Sequence, residues 1–133
     1  KVVNFLKKHN EVTKVIYSTE HEKKISDRAK QYLKGGNGPM VGIELKGGIE
    51  AGKKFIESLK MFYHVANIGD ARSLAIHPAS TTHSQLNEKE LAASGVTQSY
   101  VRLCIGIEHI DDIIDDLDQA LNKSSKGSLK AVS

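Results

Sequence analysis

One segment near the end of the chain constrains the fold more than any other. Tyr100–Ile105 (YVRLCI) is an apolar run of the kind found in a buried strand. Only four residues separate it from Ile110–Leu121, where isoleucine and leucine recur at helical spacing and aspartates occupy the opposite face. A strand followed so closely by an amphipathic helix predicts a layered α/β domain, in which helices cover a sheet.

The same alternation of strand and helix patterns runs through the rest of the chain. Further strands are predicted at Val12–Tyr17, Met40–Leu45 and Ser73–His77, which makes about four in all. Helices are predicted at Val2–Leu6, after a cap at Ser26, at Ile49–Phe62, and after a cap pair formed by Asn87 and Glu90. Because the strands are short and few, we expect an α/β sandwich with helices packed on one side of an open sheet.

Length and composition narrow the class of protein. The 133 residues allow one domain, and 39% hydrophobic with 26% charged residues is typical of a globular protein. No apolar run approaches the roughly 20 residues of a membrane helix. A single cysteine excludes an internal disulfide and no signal-peptide pattern opens the chain, so we expect a cytoplasmic protein. The helical pattern already under way at Lys1 indicates a piece of a longer polypeptide.

Charge gives little support to a nucleic-acid partner. The net charge is +3, and the lysines are scattered in pairs without interleaved aromatic residues. Solvated helix faces account for them, and we interpret the aspartates of the last helix in the same way.

Other motifs do not complete a reactive site. Gly35–Gly38 lacks the spacing of a phosphate-binding loop and fits a helix end followed by a turn. A loop separates His77 from His83 and no third ligand has an obvious place, so no metal site is predicted. Cys104 lies in an apolar strand, which favours a buried, inert thiol over a nucleophile.

Arg102 is the strongest candidate for a functional residue. It lies within an apolar strand and points away from the face that carries Val101 and Leu103. Burying a guanidinium there is costly unless an anion meets it. Two explanations remain open: a carboxylate of the same domain, such as Glu108, or a bidentate contact with the carboxylate of a substrate.

Four stretches resemble one known family. They are Gly47–Phe55 (GGIEAGKKF), Asn67–Leu86 (NIGDARSLAIHPASTTHSQL), Tyr100–Glu108 (YVRLCIGIE) and Ile110–Leu121 (IDDIIDDLDQAL). Together they resemble the C-terminal domain of the pyridoxal-phosphate-dependent enzymes of cysteine and methionine metabolism. The resemblance implies the small domain of a fold-type-I, aspartate-aminotransferase-like enzyme, with a short, mostly antiparallel sheet. Residues 1–122 would form this substrate-closing domain, and the Ser-, Lys- and Gly-rich composition of residues 123–133 predicts a flexible tail.

The resemblance also implies a division of labour. Arg102 falls on the family arginine that binds the substrate α-carboxylate, and Ser73 falls on a serine that lines the same pocket. Leu74, Thr82 and His83 would support the loop beside it. The lysine that carries pyridoxal 5'-phosphate lies in a large domain missing from this chain, so no catalytic residue is placed here. Cys104 stands where the family commonly has serine, and Tyr17-Ser18-Thr19 lacks the usual Pro-Gly.

Within the family, residues 81–86 (TTHSQL) are most similar to the O-acetylhomoserine sulfhydrylase branch. That branch makes homocysteine or methionine from O-acetyl-L-homoserine and sulfide or methanethiol, and the resemblance implies a homotetrameric parent with small-molecule substrates. Cystathionine γ-synthase and methionine γ-lyase are alternatives within the family. A stand-alone binding module without catalysis is an alternative outside it, and we expect the 133-residue chain alone to be inactive.

Overall fold

The structure is a computed structural model that describes residues 1–125. The helices are α1 (Val2–Leu6), α2 (Lys23–Tyr32), α3 (Gly48–Ser58), α4 (Glu88–Ala93) and α5 (Ile110–Ser125). The strands are β1 (Val12–Ile16), β2 (Met40–Leu45), β3 (Tyr63–His64), β4 (Leu74–Ile76) and β5 (Tyr100–Cys104), and a 3-10 turn spans Pro78–Ser80. No helix of this described part is long and apolar enough to cross a membrane.

The strands form one mixed sheet in the order β1-β2-β5-β4-β3. All neighbouring pairs are antiparallel except β3 with β4. The predicted α/β fold with a mostly antiparallel sheet is therefore confirmed. The expected count of about four strands is wrong by one, because β3 has only two residues and a pattern of period two cannot be seen in so short a strand.

Helices cover one face of this sheet, as predicted. Alternate residues of β2 and β5, including Ile43, Val101 and Leu103, point to that face and are buried. They meet apolar residues of α1, α3 and α5 in a single core, with Leu6, Phe55 and Leu117 completely buried. By contrast, α2 buries no side chain. The opposite face of the sheet is therefore the one available for a site.

Some helix ends differ from their predicted positions. Ser26 lies inside α2, where its hydroxyl donates to the Lys23 carbonyl, and Glu22 precedes the helix instead. Helix α3 ends at Ser58, four residues earlier than expected. Helix α5 continues to Ser125, so residues 123–125 belong to a helix and not to the predicted tail. The remaining tail residues, 126–133, lie outside the described part of the chain.

The cap pair at the start of α4 is confirmed. Asn87 Oδ1 accepts hydrogen bonds from the backbone N–H groups of Lys89 and Glu90, each at 3.0 Å. Glu90 returns a contact, since its Oε2 accepts from the Asn87 N–H at 2.9 Å. This reciprocal arrangement satisfies N–H groups that a helix start leaves unpaired.

Asp116 corrects the interpretation of the acidic face of α5. Its side chain is buried, and it accepts backbone hydrogen bonds from Lys60 at 2.9 Å and Met61 at 2.8 Å. The side-chain amide of Gln119 is a further donor at 3.0 Å. Asp116 therefore holds the chain that leaves α3, whereas Asp111, Asp112 and Asp115 are exposed as expected.

Candidate functional site

Arg102 lies near the middle of the sheet, on the face opposite the core. In the register of the sheet, Gly42 of β2 and Ile76 of β4 flank it on either side. Its guanidinium is partly exposed, and Nη2 donates to the Asn67 carbonyl at 3.3 Å. The contact anchors the side chain, while most of the five guanidinium N–H groups stay available to a ligand.

Glu108 does not neutralise Arg102. Among the side chains that the structure describes, no carboxylate forms an ion pair with Arg102. Glu108 instead contacts Ser73: Oε1 accepts from the Ser73 backbone N–H at 2.7 Å and Oε2 accepts from its hydroxyl at 2.8 Å. The explanation of Arg102 by Glu108 is therefore wrong, and the explanation by an external anion remains.

Ser73 lies at the centre of a buried network. Its side chain has no exposed surface, and Oγ accepts a hydrogen bond from the Gly106 N–H at 2.9 Å. Burial raises the pKa of Glu108, but the hydrogen bonds from Ser73 lower it by more than burial raises it. The pKa of Glu108 therefore lies below its ordinary value. The network joins the start of β4 to the loop after β5. The structure therefore places Ser73 where it positions these two segments and does not expose its hydroxyl to a pocket.

Leu74 follows Ser73 in β4 and is buried opposite Cys104. The Cys104 thiol is buried as predicted, and its Sγ accepts a weak contact from the Gly69 N–H at 3.5 Å. The loop that contains Asn67 and Gly69 thus covers the sheet on one side of Arg102.

Thr82 and His83 belong to the loop after the 3-10 turn. The Thr82 hydroxyl and His83 Nδ1 are 2.8 Å apart, and the His83 N–H donates to the Pro78 carbonyl at 2.9 Å. Thr82 lines an open groove together with His64 and Ile76, the register neighbour of Arg102. Arg102 and the Thr82 loop are therefore brought to the same region of the sheet, whereas Ser73 is directed into the domain.

His77 is a structural residue, whereas the sequence predicted it only as the end of a strand without a metal site. It is completely buried, with Nδ1 2.8 Å from the Ser80 hydroxyl and Nε2 2.7 Å from the Gln98 carbonyl. Burial lowers its pKa below the ordinary value. Its two ring nitrogens hold the loop after β4 against the segment before β5. The sequence signal was the position of a histidine directly at a predicted strand end before Pro78.

Tyr100 lines a second groove on the other side of Arg102. This open groove has a volume of about 340 Å³, and Ile16, Gly42 and Ile25 also line it. The Tyr100 ring lies over Gly42, where an added Cβ would be 2.7 Å from Cε2. Burial raises the pKa of Tyr100, and the charge of Arg102 opposes that effect. A glycine inside a predicted strand could have indicated this close approach.

The site therefore offers a cation and hydrogen-bond donors to an anion. Neither groove beside Arg102 has a lysine among its described lining residues, and the cation of the site is a guanidinium, which can present two parallel N–H groups to a carboxylate. Within residues 1–125, no group of three or more His, Cys, Asp or Glu residues is placed to hold a metal ion.

Comparisons with known proteins agree on one family. The model of the family described as "Cys/Met metabolism PLP-dependent enzyme" matches residues 1–122. An O-acetyl-L-homoserine sulfhydrylase of Leptospira meyeri is 50% identical over 122 residues, which are 91% of this chain and 28% of that protein. An L-methionine gamma-lyase of Fusobacterium nucleatum is 42% identical over 123 residues, 92% of this chain and 31% of that protein.

Solved structures show the same likeness. A Campylobacter jejuni crystal structure described as an O-acetylhomoserine (thiol)-lyase, with pyridoxyl-lysine-phosphate at its position 205, has a TM-score of 0.81 and 40% sequence identity. The match covers 91% of this chain and 29% of that chain. The chain thus spans less than a third of the length of these proteins.

Proposed function

Since the chain belongs to the family of Cys/Met metabolism PLP-dependent enzymes, we propose that it is the C-terminal, substrate-closing domain of an O-acetyl-L-homoserine sulfhydrylase. The complete enzyme would convert O-acetyl-L-homoserine and sulfide, or methanethiol, into homocysteine or methionine with release of acetate. This domain would supply the site for the substrate α-carboxylate. The resemblance further supports a homotetrameric, cytoplasmic enzyme.

One observation carries this proposal: Arg102 lies on the open face of the sheet, and most of its guanidinium N–H groups make no described hydrogen bond. Only the Asn67 carbonyl engages its guanidinium among the described hydrogen bonds. A planar guanidinium can present two parallel N–H groups to a carboxylate, which fixes the ligand in orientation as well as in place. Held in this way, the substrate would direct its amine and its leaving group along defined directions.

The remaining candidate residues would act by positioning. Pyridoxal phosphate, when bound to the enzyme, supplies the electron sink for the bond changes at the substrate carbons. Ser73 and Glu108 link the start of β4 to the loop after β5, and would therefore keep β4 in place beside β5, the strand that carries Arg102. Thr82 and His83 would shape the loop along one side of the bound substrate. The covalent lysine would belong to the large domain, the partner of this surface.

The activity of the branch requires a direct test. The complete enzyme should form homocysteine from O-acetyl-L-homoserine and sulfide faster than it forms 2-oxobutyrate from methionine. A preference for methionine would favour a γ-lyase, and a preference for cysteine as the sulfur donor would favour a cystathionine γ-synthase. The 133-residue chain supplied with pyridoxal phosphate should show no turnover, and turnover by it would contradict the proposed division between domains.

Substitution of Arg102 tests the proposed site. We expect Arg102→Ala to lower kcat/KM of the complete enzyme. The decrease should correspond to a loss of about 2–5 kcal/mol of transition-state stabilisation, the range for removing one member of a buried charge pair. Arg28→Ala is the matched control, because Arg28 is exposed on α2. If Arg102→Ala and Arg28→Ala gave the same kcat/KM as the wild type, the carboxylate would be bound elsewhere.

A further inference from the structure

The geometry points to the Tyr100 hydroxyl as a second donor to the anion that Arg102 holds. This inference rests on the proposed function and adds to it a specificity-determining residue. The ligand group would be a carboxylate that contacts one guanidinium and one phenol, both from β5.

The two side chains leave the same face of the sheet. Tyr100 and Arg102 are two residues apart in β5, so both point away from the helical core, while Val101 between them is completely buried. Tyr100 pairs with Glu44 in β2, and Arg102 pairs with Gly42. Both side chains line the same open groove.

Gly42 determines where the phenol lies. A Cβ at this position would be 2.7 Å from Tyr100 Cε2 and 2.9 Å from its hydroxyl oxygen, so only glycine leaves room for the ring. The ring therefore extends from β5 over β2, and its hydroxyl lies above Gly42, the residue that pairs with Arg102. Ile16 bounds the same space, since its Cβ is 3.2 Å from the position of that added atom.

No hydrogen bond among the described residues uses the Tyr100 hydroxyl, although its ring is partly buried. Burial also raises the pKa of Tyr100, so the phenol keeps its proton at neutral pH. The protonated hydroxyl can then donate a hydrogen bond to a carboxylate. A guanidinium beside a protonated phenol presents donors to one anion without adding a competing negative charge.

A ring that only fills the space above Gly42 would need no hydroxyl, so Tyr100→Phe separates the two roles. In the complete enzyme we expect this variant to bind L-norvaline, measured as a competitive inhibitor, about tenfold more weakly, as for loss of a hydrogen bond to a charged group. Butylamine, which has the same side chain and amine but no carboxylate, should bind the variant and the wild type equally. Tyr32→Phe is the control, because Tyr32 is exposed on α2.

Gly42→Ala provides a second test, because it keeps the hydroxyl but displaces the ring. We expect it to weaken L-norvaline binding about as much as Tyr100→Phe does, and the double variant to be no weaker than either single variant. An NMR titration of enzyme labelled with [13Cζ]tyrosine gives a readout besides activity. The signal lost in Tyr100→Phe should shift with L-norvaline and not with butylamine.

Different results would overturn the two proposals. If Arg102→Ala lowered L-norvaline affinity but Tyr100→Phe did not, the inference about Tyr100 would be wrong and the carboxylate site would stand. If Tyr100→Phe weakened butylamine equally, the residue would act by packing and the inference would again be wrong. If wild-type enzyme bound L-norvaline in the expected way but made no homocysteine from O-acetyl-L-homoserine, the proposed reaction alone would fail.

Discussion

The imidazole of His77 lies against Gly52 of α3, so close that no side chain fits between them. A Cβ added to Gly52 would overlap Nε2 and would be 2.6 Å from Cδ2. The ring cannot easily retreat, because Ser80 and the Gln98 carbonyl hold its two nitrogens. Helix α3, the turn after β4 and the segment before β5 are therefore fitted together at one contact.

This contact reverses the usual effect of replacing a helical glycine. Alanine at an exposed helix position gains up to about 1 kcal/mol over glycine. We expect Gly52→Ala to lower the free energy of unfolding by about 1–3 kcal/mol, because it overpacks a buried contact. Urea unfolding of the 133-residue chain measures this, with Lys54→Ala on the exposed side of α3 as control. A Gly52→Ala variant as stable as the wild type would show that the ring can move aside.

His77 should also make stability depend on pH. Burial lowers its pKa in the folded chain, whereas the unfolded chain has the ordinary value of about 6.5. As pH falls below that value, the unfolded state binds a proton that the folded state does not, so stability declines. We expect Tm to decrease as the pH is lowered from 7.5 to 5.5, and the dependence of Tm on pH to be weaker in His77→Gln than in the wild type. Equal slopes for both proteins would mean that His77 is not responsible.

The sequence predicted the elements well where one strand or helix carries its own pattern. The bounds of β2 were predicted correctly, and the start of α5 was also correct, because their apolar residues repeat over many positions. The site was harder to predict because its partners are distant in sequence. Nothing near Arg102 in the chain indicates that Asn67 supplies its contact, 35 residues away.

Ser73 and Asp116 are two further residues whose partners are distant in sequence, and their burial could not be predicted for the same reason. A serine next to a predicted strand indicates neither burial nor a glutamate partner 35 residues later. An aspartate on a helix face with four other acidic residues indicates solvent, yet Asp116 meets backbone groups more than 50 residues earlier. Local periodicity assigns a face to a residue, but only the packing of α5 against the end of α3 decides which aspartate is covered.

Asp116 provides a test of that packing. Removing its carboxylate leaves the backbone N–H groups of Lys60 and Met61 without their partner in a partly buried setting. We expect Asp116→Ala to lower the free energy of unfolding by about 1–3 kcal/mol. Asp115→Ala, an exposed neighbour, should change it by less than about 0.5 kcal/mol. Equal effects in the two variants would mean that water replaces the carboxylate at no cost.

The Ser73–Glu108 pair gives a prediction for acid pH. The pKa of Glu108 is lower in the folded chain than its ordinary value of 4.5, so the charged carboxylate stabilises the fold above that value. As pH falls through the lowered pKa the carboxylate gains a proton, and this contribution is lost. We therefore expect the wild type to lose stability below about pH 4.5 more steeply than Glu108→Gln.

Ser73→Ala tests the same pair at neutral pH. Alanine removes the donor to Glu108 and the acceptor of the Gly106 N–H, both in a buried setting. The expected loss in unfolding free energy is about 1–3 kcal/mol, because two polar groups lose partners that water cannot easily replace. Ser84→Ala, on an exposed loop, is the control.

In the complete enzyme, Ser73→Ala should lower the affinity for L-norvaline without changing the affinity for butylamine, since a displaced β4 disturbs Arg102 and its carboxylate ligand together. A Ser73→Ala enzyme with unchanged affinity for both ligands would show that the network stabilises the domain and has no part in positioning Arg102.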